Sequence, residues 1–434
     1  QADGQSHHGD GSLKRAVFSC KPSATVADNG TIAIALHTVQ GSASDVSPID
    51  RRTLTTQNYR MRLRIDGIDY WCVLNNLDTA GTFRERRVGP LVRAWHHWGV
   101  FRAGTGGSDT DQGQWQGHFY AYVWADGTIT VFPYAINGRV ANSQSYAVQE
   151  LELLNGDTSI IRHETSFTAY GWAAYFLCAA DGHPHWSANP THFHPRATWR
   201  WFHDHKLIWN SYDTATVRTN VPVPADRSYT PDNPAGAFGT ANISQTGASA
   251  WIGDIPDWTA HALLATSGTE KSAADRKTLL RNDRVNALAA GVKFWPWAVR
   301  HESGLPPVLV NRDYTATGLT EAQPSIGWRA ASNLTRTGGG FPGAQNDASH
   351  MPHYHTYQAM VTGWEWWLDF MTIQGVGTIG GEDPGTTLFY QRNPFVNGTS
   401  RDCGTLKVDS HRQNAWKHKL VDDAEWLMPD AHPC

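Results

Sequence analysis

Two Asp-Gly dipeptides, each set between runs in which large apolar and polar residues alternate, constrain this chain more than any other feature. Met61, Leu63 and Ile65 alternate up to Asp66-Gly67, and Tyr70, Cys72 and Leu74 continue the pattern beyond it. Phe119–Trp124, Asp126-Gly127 and Thr128–Tyr134 repeat the arrangement. Asp and Gly tolerate the positive φ of a type I′ turn, so each set predicts a β-hairpin. In the second hairpin Tyr120, Tyr122 and Trp124 share one face while Phe119, Ala121 and Val123 share the other. Such a sheet is covered on both sides, or presents one face as an aromatic platform.

Further β-type runs at Ile32–Leu36, Ser159–Tyr170, Trp172–Leu177 and Thr198–Trp209 extend the pattern over residues 15–225. With 434 residues, the chain has length for about two to three domains. The expected class is α+β and multidomain. A polar, Gly-rich tail (1–14) precedes a large antiparallel β-sandwich (15–225). A Pro/Gly/Ser-rich linker (226–250) leads to an α-helical, toroid-like and incomplete region (251–434). Asp257–Ser267 before Gly268, Glu270–Ala290 before Gly291, 350–371 and 411–428 are the candidate helices.

Composition excludes several partners. A net charge of −4 without basic blocks argues against nucleic acid, and no apolar run is long enough to span a bilayer. The chain opens at Gln1 with no apolar signal segment, as a mature secreted protein does, so a secreted, extracellular or periplasmic location is expected. Asn29, Asn242, Asn333 and Asn397 open glycosylation acceptor triplets. Five scattered Cys, with no CxxC, leave an odd thiol or a pairing outside the chain, and permit disulfides without fixing them.

Tryptophan is the excess residue, with 20 copies against 14 Tyr and 15 Phe. An indole suits a core and also stacks on sugar rings. Three His-x-His pairs lie close together: His183/His185, His192/His194 and His203/His205. On a strand, i and i+2 face the same way. Thr198–Trp209 would then present Trp199, Trp201, His203 and His205 together, as a glycan surface or as part of a metal site. A metal-dependent enzyme built on these pairs is one alternative reading. No zinc or other cofactor is assigned.

The second cluster is Asn346-Asp-Ala-Ser-His-Met-Pro-His-Tyr-His-Thr-Tyr357, after the Gly-rich 338–343. Pro352 is tolerated in a first helical turn. A helix from about Met351 would put His353 and Tyr357 on one face and His350 and Tyr354 on the next. A neutral His can remove a proton and a Tyr can return one, as β-elimination at a uronate requires. Asp347 and Glu365, the nearest carboxylates, do not form the pair a hydrolase needs.

The stretch Asp347-Ala-Ser-His350-Met-Pro-His353-Tyr354, with Thr362-Gly363 and Trp367-Leu368-Asp369, resembles secreted bacterial carbohydrate-active proteins in which a β-domain precedes an (α/α) toroid. The resemblance implies polysaccharide processing in a cleft at the toroid mouth. The candidate chemistry is then a polysaccharide lyase. His350, His353, Tyr354 and Tyr357 would be catalytic, Arg336 and Asn346 would meet the uronate, and Trp199, Trp201, His203, His205 and Trp364 would bind the glycan. The rival is a non-catalytic extracellular structural or assembly protein, self-associating or completed by a partner.

Overall fold

A computed structural model describes residues 2–7, 13–18, 49–75, 83–89, 91–104, 115–137, 146–164, 167–169, 174–188, 198–205, 207–208, 213–231, 254–293 and 354–371, together with Lys419, Asp423 and Leu427. The Ile32–Leu36 run, the four glycosylation triplets, and Cys20, Cys403 and Cys434 lie outside the described residues.

Ala2–His7 (β1) and Leu13–Phe18 (β2), in and beside the stretch expected as a tail, pair antiparallel. Ladder hydrogen bonds require no apolar periodicity, so a polar strand such as β1 can pair with a neighbour. After a short helix α1 (Arg52–Thr55), the strands are β3 (Tyr59–Ile65), β4 (Ile68–Val73), β5 (Phe83–Arg87), β6 (Val92–Val100), β7 (Arg102–Ala103), β8 (Trp115–Trp124) and β9 (Ile129–Asn137). They continue as β10 (Tyr146–Asn155), β11 (Thr158–His163), β12 (Phe167–Ala169), β13 (Ala174–Phe176) and β14 (His185–Trp186).

They form two six-stranded antiparallel sheets. The first runs β11-β10-β3-β4-β7 with β12 also on β10; the second runs β13-β9-β8-β6-β5 with β14 also on β9. Both Asp-Gly turns form as expected. Asp66 and Gly67 have φ of 51° and 77°, and Gly127 has φ of 83° with Thr128 N–H donating to the Asp126 carboxylate at 3.0 Å.

The sheets stack face to face. In β3, Tyr59, Met61, Leu63 and Ile65 are buried while the arginines between them are not. Gly117 in β8 sits against the first sheet, and a methyl group there would lie 2.6 Å from Cys72 Sγ and 2.7 Å from Met61 Cε. Only a residue without Cβ permits that approach. Cys72 and Cys178 are free, buried thiols.

By strand alternation the other face of β8, with Tyr120, Tyr122 and Trp124, points away from the first sheet. Helices cover it. The helical elements are α2 (Trp199–Asp204), α3 (Ala215–Asn220), α4 (Asp257–Ser267), α5 (Ala273–Lys293), α6 (Thr356–Thr362) and α7 (365–371). Lys419, Asp423 and Leu427 are helical at four-residue spacing, and Leu427 joins the main core. That core continues from both sheets into α5, α6 and α7.

Two expectations need correction. Thr198–Trp209 is not a strand: Thr198 caps α2, its hydroxyl accepting the Trp201 N–H at 3.3 Å, and Arg200 pairs with Asp204 one turn on. The period-two run of bulky residues is outweighed by an N-cap and by burial of Trp199 and Phe202 on one helical face. The single helix over 350–371 is broken at Gly363, which adopts φ of 62° as the C-cap of α6. The start of the expected linker is tied down as well. Tyr229 is buried and accepts the Phe176 N–H at 3.1 Å, and Asp226 pairs with Arg281 of α5.

Candidate functional site

The second sheet meets α7 along a margin where three indoles come together. Trp124 ends β8 just before the Asp126-Gly127 turn, and its Nε1–H donates to Thr130 Oγ1 at 2.9 Å. Trp186 in β14 lies opposite Thr130 in the register. Trp364 sits between α6 and α7. The Trp124 and Trp186 rings stack 5.6 Å apart at 22°, and Trp364 meets Trp186 edge-on at 5.7 Å and Trp124 at 6.4 Å. All three are half-buried, so each keeps some surface to solvent. Behind them Trp366 is fully buried, stacked on Trp364 at 4.8 Å and on Phe132 at 4.3 Å. Burying an indole of that size contributes at most about 4 to 6 kcal/mol.

The platform rests on buried ion pairs. A register shift between Glu85 and Arg87 marks a β-bulge in the edge strand β5. Bulges re-aim side chains, which is how the adjacent Arg86 and Arg87 both reach α7. Arg87 pairs with Glu365 at 3.0 Å with both side chains almost wholly buried, and it also donates to the Gly363 carbonyl. Tyr122 accepts the Glu365 N–H at 2.9 Å. Burial, then the nearby Glu365 charge, raises the Tyr122 hydroxyl well above the usual tyrosine range.

Deeper in, Arg86 and the Tyr120 hydroxyl both donate to the Asp369 carboxylate. Burial opposes the charge on Arg86, and Asp369 overcomes it. His96 stacks on Tyr120 at 4.3 Å, and its Nε2 meets His118 Nδ1 at 3.0 Å. His118 in turn stacks on Tyr134 at 4.7 Å. These groups are buried and fasten the helix to the sheet.

The residues expected from the sequence scatter. Trp364 is at the rim. Tyr354 is 1% exposed and stacks on Trp258 at 5.9 Å, while Tyr357 is 2% exposed against Phe202. Among the described residues both Tyr side chains are packed into the helical core. Burial also raises the Tyr357 hydroxyl above its usual range.

On α2, Trp199 is buried and Trp201 is exposed, stacked on His205 at 4.2 Å. On a helix, i and i+2 diverge, so His203 and His205 do not form the shared imidazole face expected of a strand. His350, His353, Arg336, Asn346, His192 and His194 lie outside the described residues. His185 faces the first sheet, 3.4 Å from the Tyr59 hydroxyl, and His183 lies by Asp181. Among the described residues no group of three or more His, Cys, Asp and Glu is placed to hold a metal ion. No helix among them is long and apolar enough to cross a membrane.

Tyr122 lies on the strand face shared with Trp124, as the alternation predicts, whereas no sequence pattern singles out Arg87 or Trp186. Comparison of the chain with protein-family models, with curated proteins and with solved structures finds no match.

Proposed function

We propose that this is an extracellular or periplasmic carbohydrate-binding protein that holds a glycan at the rim formed by Trp124, Trp186 and Trp364. The observation that carries the reading is the partial exposure of three mutually packed indoles on a rigid base. Such rings stack on the C–H face of a pyranose and lose little side-chain entropy in doing so, since packing has already fixed them. Extension of the helical layer into an (α/α) toroid over residues 251–434 belongs to the same proposal. Glycan binding is the part of the reading that the described residues support, since Tyr354 and Tyr357 are buried in the helical core.

Affinity electrophoresis of the full chain through gels containing pectate, alginate, hyaluronan, xylan or β-glucan tests it. Retardation by at least one polymer is expected. Trp364→Ala or Trp186→Ala should weaken it by about thirtyfold, the loss typical of a truncated aromatic anchor. Free migration in every gel, or retardation unchanged in both variants, overturns the reading.

A further inference from the structure

We infer that Arg87 and Tyr122 are positioning residues of the tryptophan rim, clamping the two peptide groups that flank Trp364 and thereby setting where its indole stands; only the affinity part of the test below rests on the glycan reading.

The geometry is specific to Trp364. The carbonyl of Gly363 belongs to the peptide unit preceding it, and Arg87 Nη2 donates there. The N–H of Glu365 belongs to the peptide unit following it, and donates to Tyr122 Oη at 2.9 Å. Both units are therefore held by side chains of the sheet, 276 and 243 residues away in sequence. The Trp364 N–H itself donates to Thr362 Oγ1 at 3.3 Å, closing the turn locally.

Gly363 supplies the positive φ that ends α6 and lets the chain present Trp364 between two helices rather than along one. The Arg87–Glu365 pair at 3.0 Å locks the same guanidinium to the first residue of α7. The Tyr122 ring then meets the Trp364 ring edge-on at 4.7 Å, and the Arg87 guanidinium lies 5.8 Å from the Tyr122 ring centre. One strand residue thus touches both the backbone and the ring of the tryptophan it orients. A binding aromatic whose supporting groups are loose loses affinity without losing its own contacts.

The test uses full-length protein labelled with 5-fluorotryptophan, with the Trp124, Trp186 and Trp364 fluorine signals assigned by single Trp→Phe substitutions. Tyr122→Phe removes one oxygen and keeps the ring; Arg87→Lys keeps the charge and loses the forked geometry. Each variant is expected to move or broaden the Trp364 signal, and with it those of Trp124 and Trp186. Signals of Trp115 and Trp258 should stay in place. Retardation in whichever of the five gels holds the wild-type protein should fall about five- to tenfold.

An unmoved Trp364 signal in both variants overturns the assignment, as does movement of Trp115 and Trp258 along with it, which would mark a general loss of structure. If Tyr122→Phe does not fold, Arg87→Lys decides alone. Wild-type protein that none of the five gels retards would overturn the glycan reading, while the fluorine spectra would still decide the positioning role.

Discussion

Two surfaces of the molecule set arginine against carboxylate, and they differ in what the pairs join and in how much of each arginine water reaches. On the outer face of the first sheet, Arg62 bridges Glu150 and Glu152 across neighbouring strands, Arg64 pairs with Asp69 at 2.6 Å, and Arg162 reaches Glu150 at 3.2 Å. Arg64 and Asp69 keep 36% and 29% of their side chains exposed, whereas Glu150 and Glu152 beneath the arginines keep 5% and 3%. Under the helices, Arg86 and Arg87 meet Asp369 and Glu365 with little or no solvent. The outer ladder joins strands already hydrogen-bonded to one another and adds little that the sheet lacks. The inner pairs join a strand to a helix some 280 residues later, and there a lost partner leaves a charge without water.

The sharpest way to break the contrast is Asp369→Asn. It removes the charge facing Arg86 and should cost about 3 to 5 kcal/mol by urea unfolding. A loss below about 1 kcal/mol would put the inner pairs in the same class as the outer ones.

Asp283 offers a third arrangement, a buried carboxylate that Thr259 and Gln358 answer as neutral donors. Burial lifts its carboxyl to about 6, against the pull of those donors and of Arg284. The folded value lies above the unfolded one, so the associated stability is complete below about pH 4 and is lost as the pH rises through about 6. Relative to wild type, Asp283→Asn should therefore be about 2 kcal/mol more favourable at pH 7 than at pH 4. Equal differences at the two pH values would mean that Asp283 is solvated.

Gly117→Ala probes the seam between the sheets and should cost about 1 to 3 kcal/mol by overpacking Cys72 and Met61. A neutral result would show that the two sheets separate easily.

Asp69→Asn should matter least. Arg64 holds the Asp69 carboxyl below the usual range, so its contribution is present at neutral pH and lost as pH falls through that lowered value. High salt should erase the difference from wild type, whereas the Asp369→Asn penalty should persist.

Much of the sandwich was legible because Asp-Gly turns and period-two burial are local. The Asp66-Gly67 and Asp126-Gly127 hairpins and the helix Asp257–Ser267 formed where those signals lay. Thr198–Trp209 misled because Trp, His and Leu alternate in a segment whose burial is decided by α4; Thr198 as a cap and the Arg200–Asp204 spacing were the countersignals. Gly363 gave a second local sign, a stop inside an otherwise helical run. The rim was only half legible. Trp124 and Trp364 stood out by composition, whereas Arg87 is aimed by a bulge and meets its partners through contacts no local pattern encodes.

The two buried thiols among the described residues carry a practical corollary. Cys72 lies at the seam, with burial pushing its thiol up to about 12, and burial raises Cys178 as well, beside α5. A thiol of that kind is inert to alkylating reagents until the chain opens around it. The labelling rates of these two positions are consequently separate clocks, one timing the parting of the sheets and the other the release of the helical cover. Their ratio would tell which of the two layers comes away first.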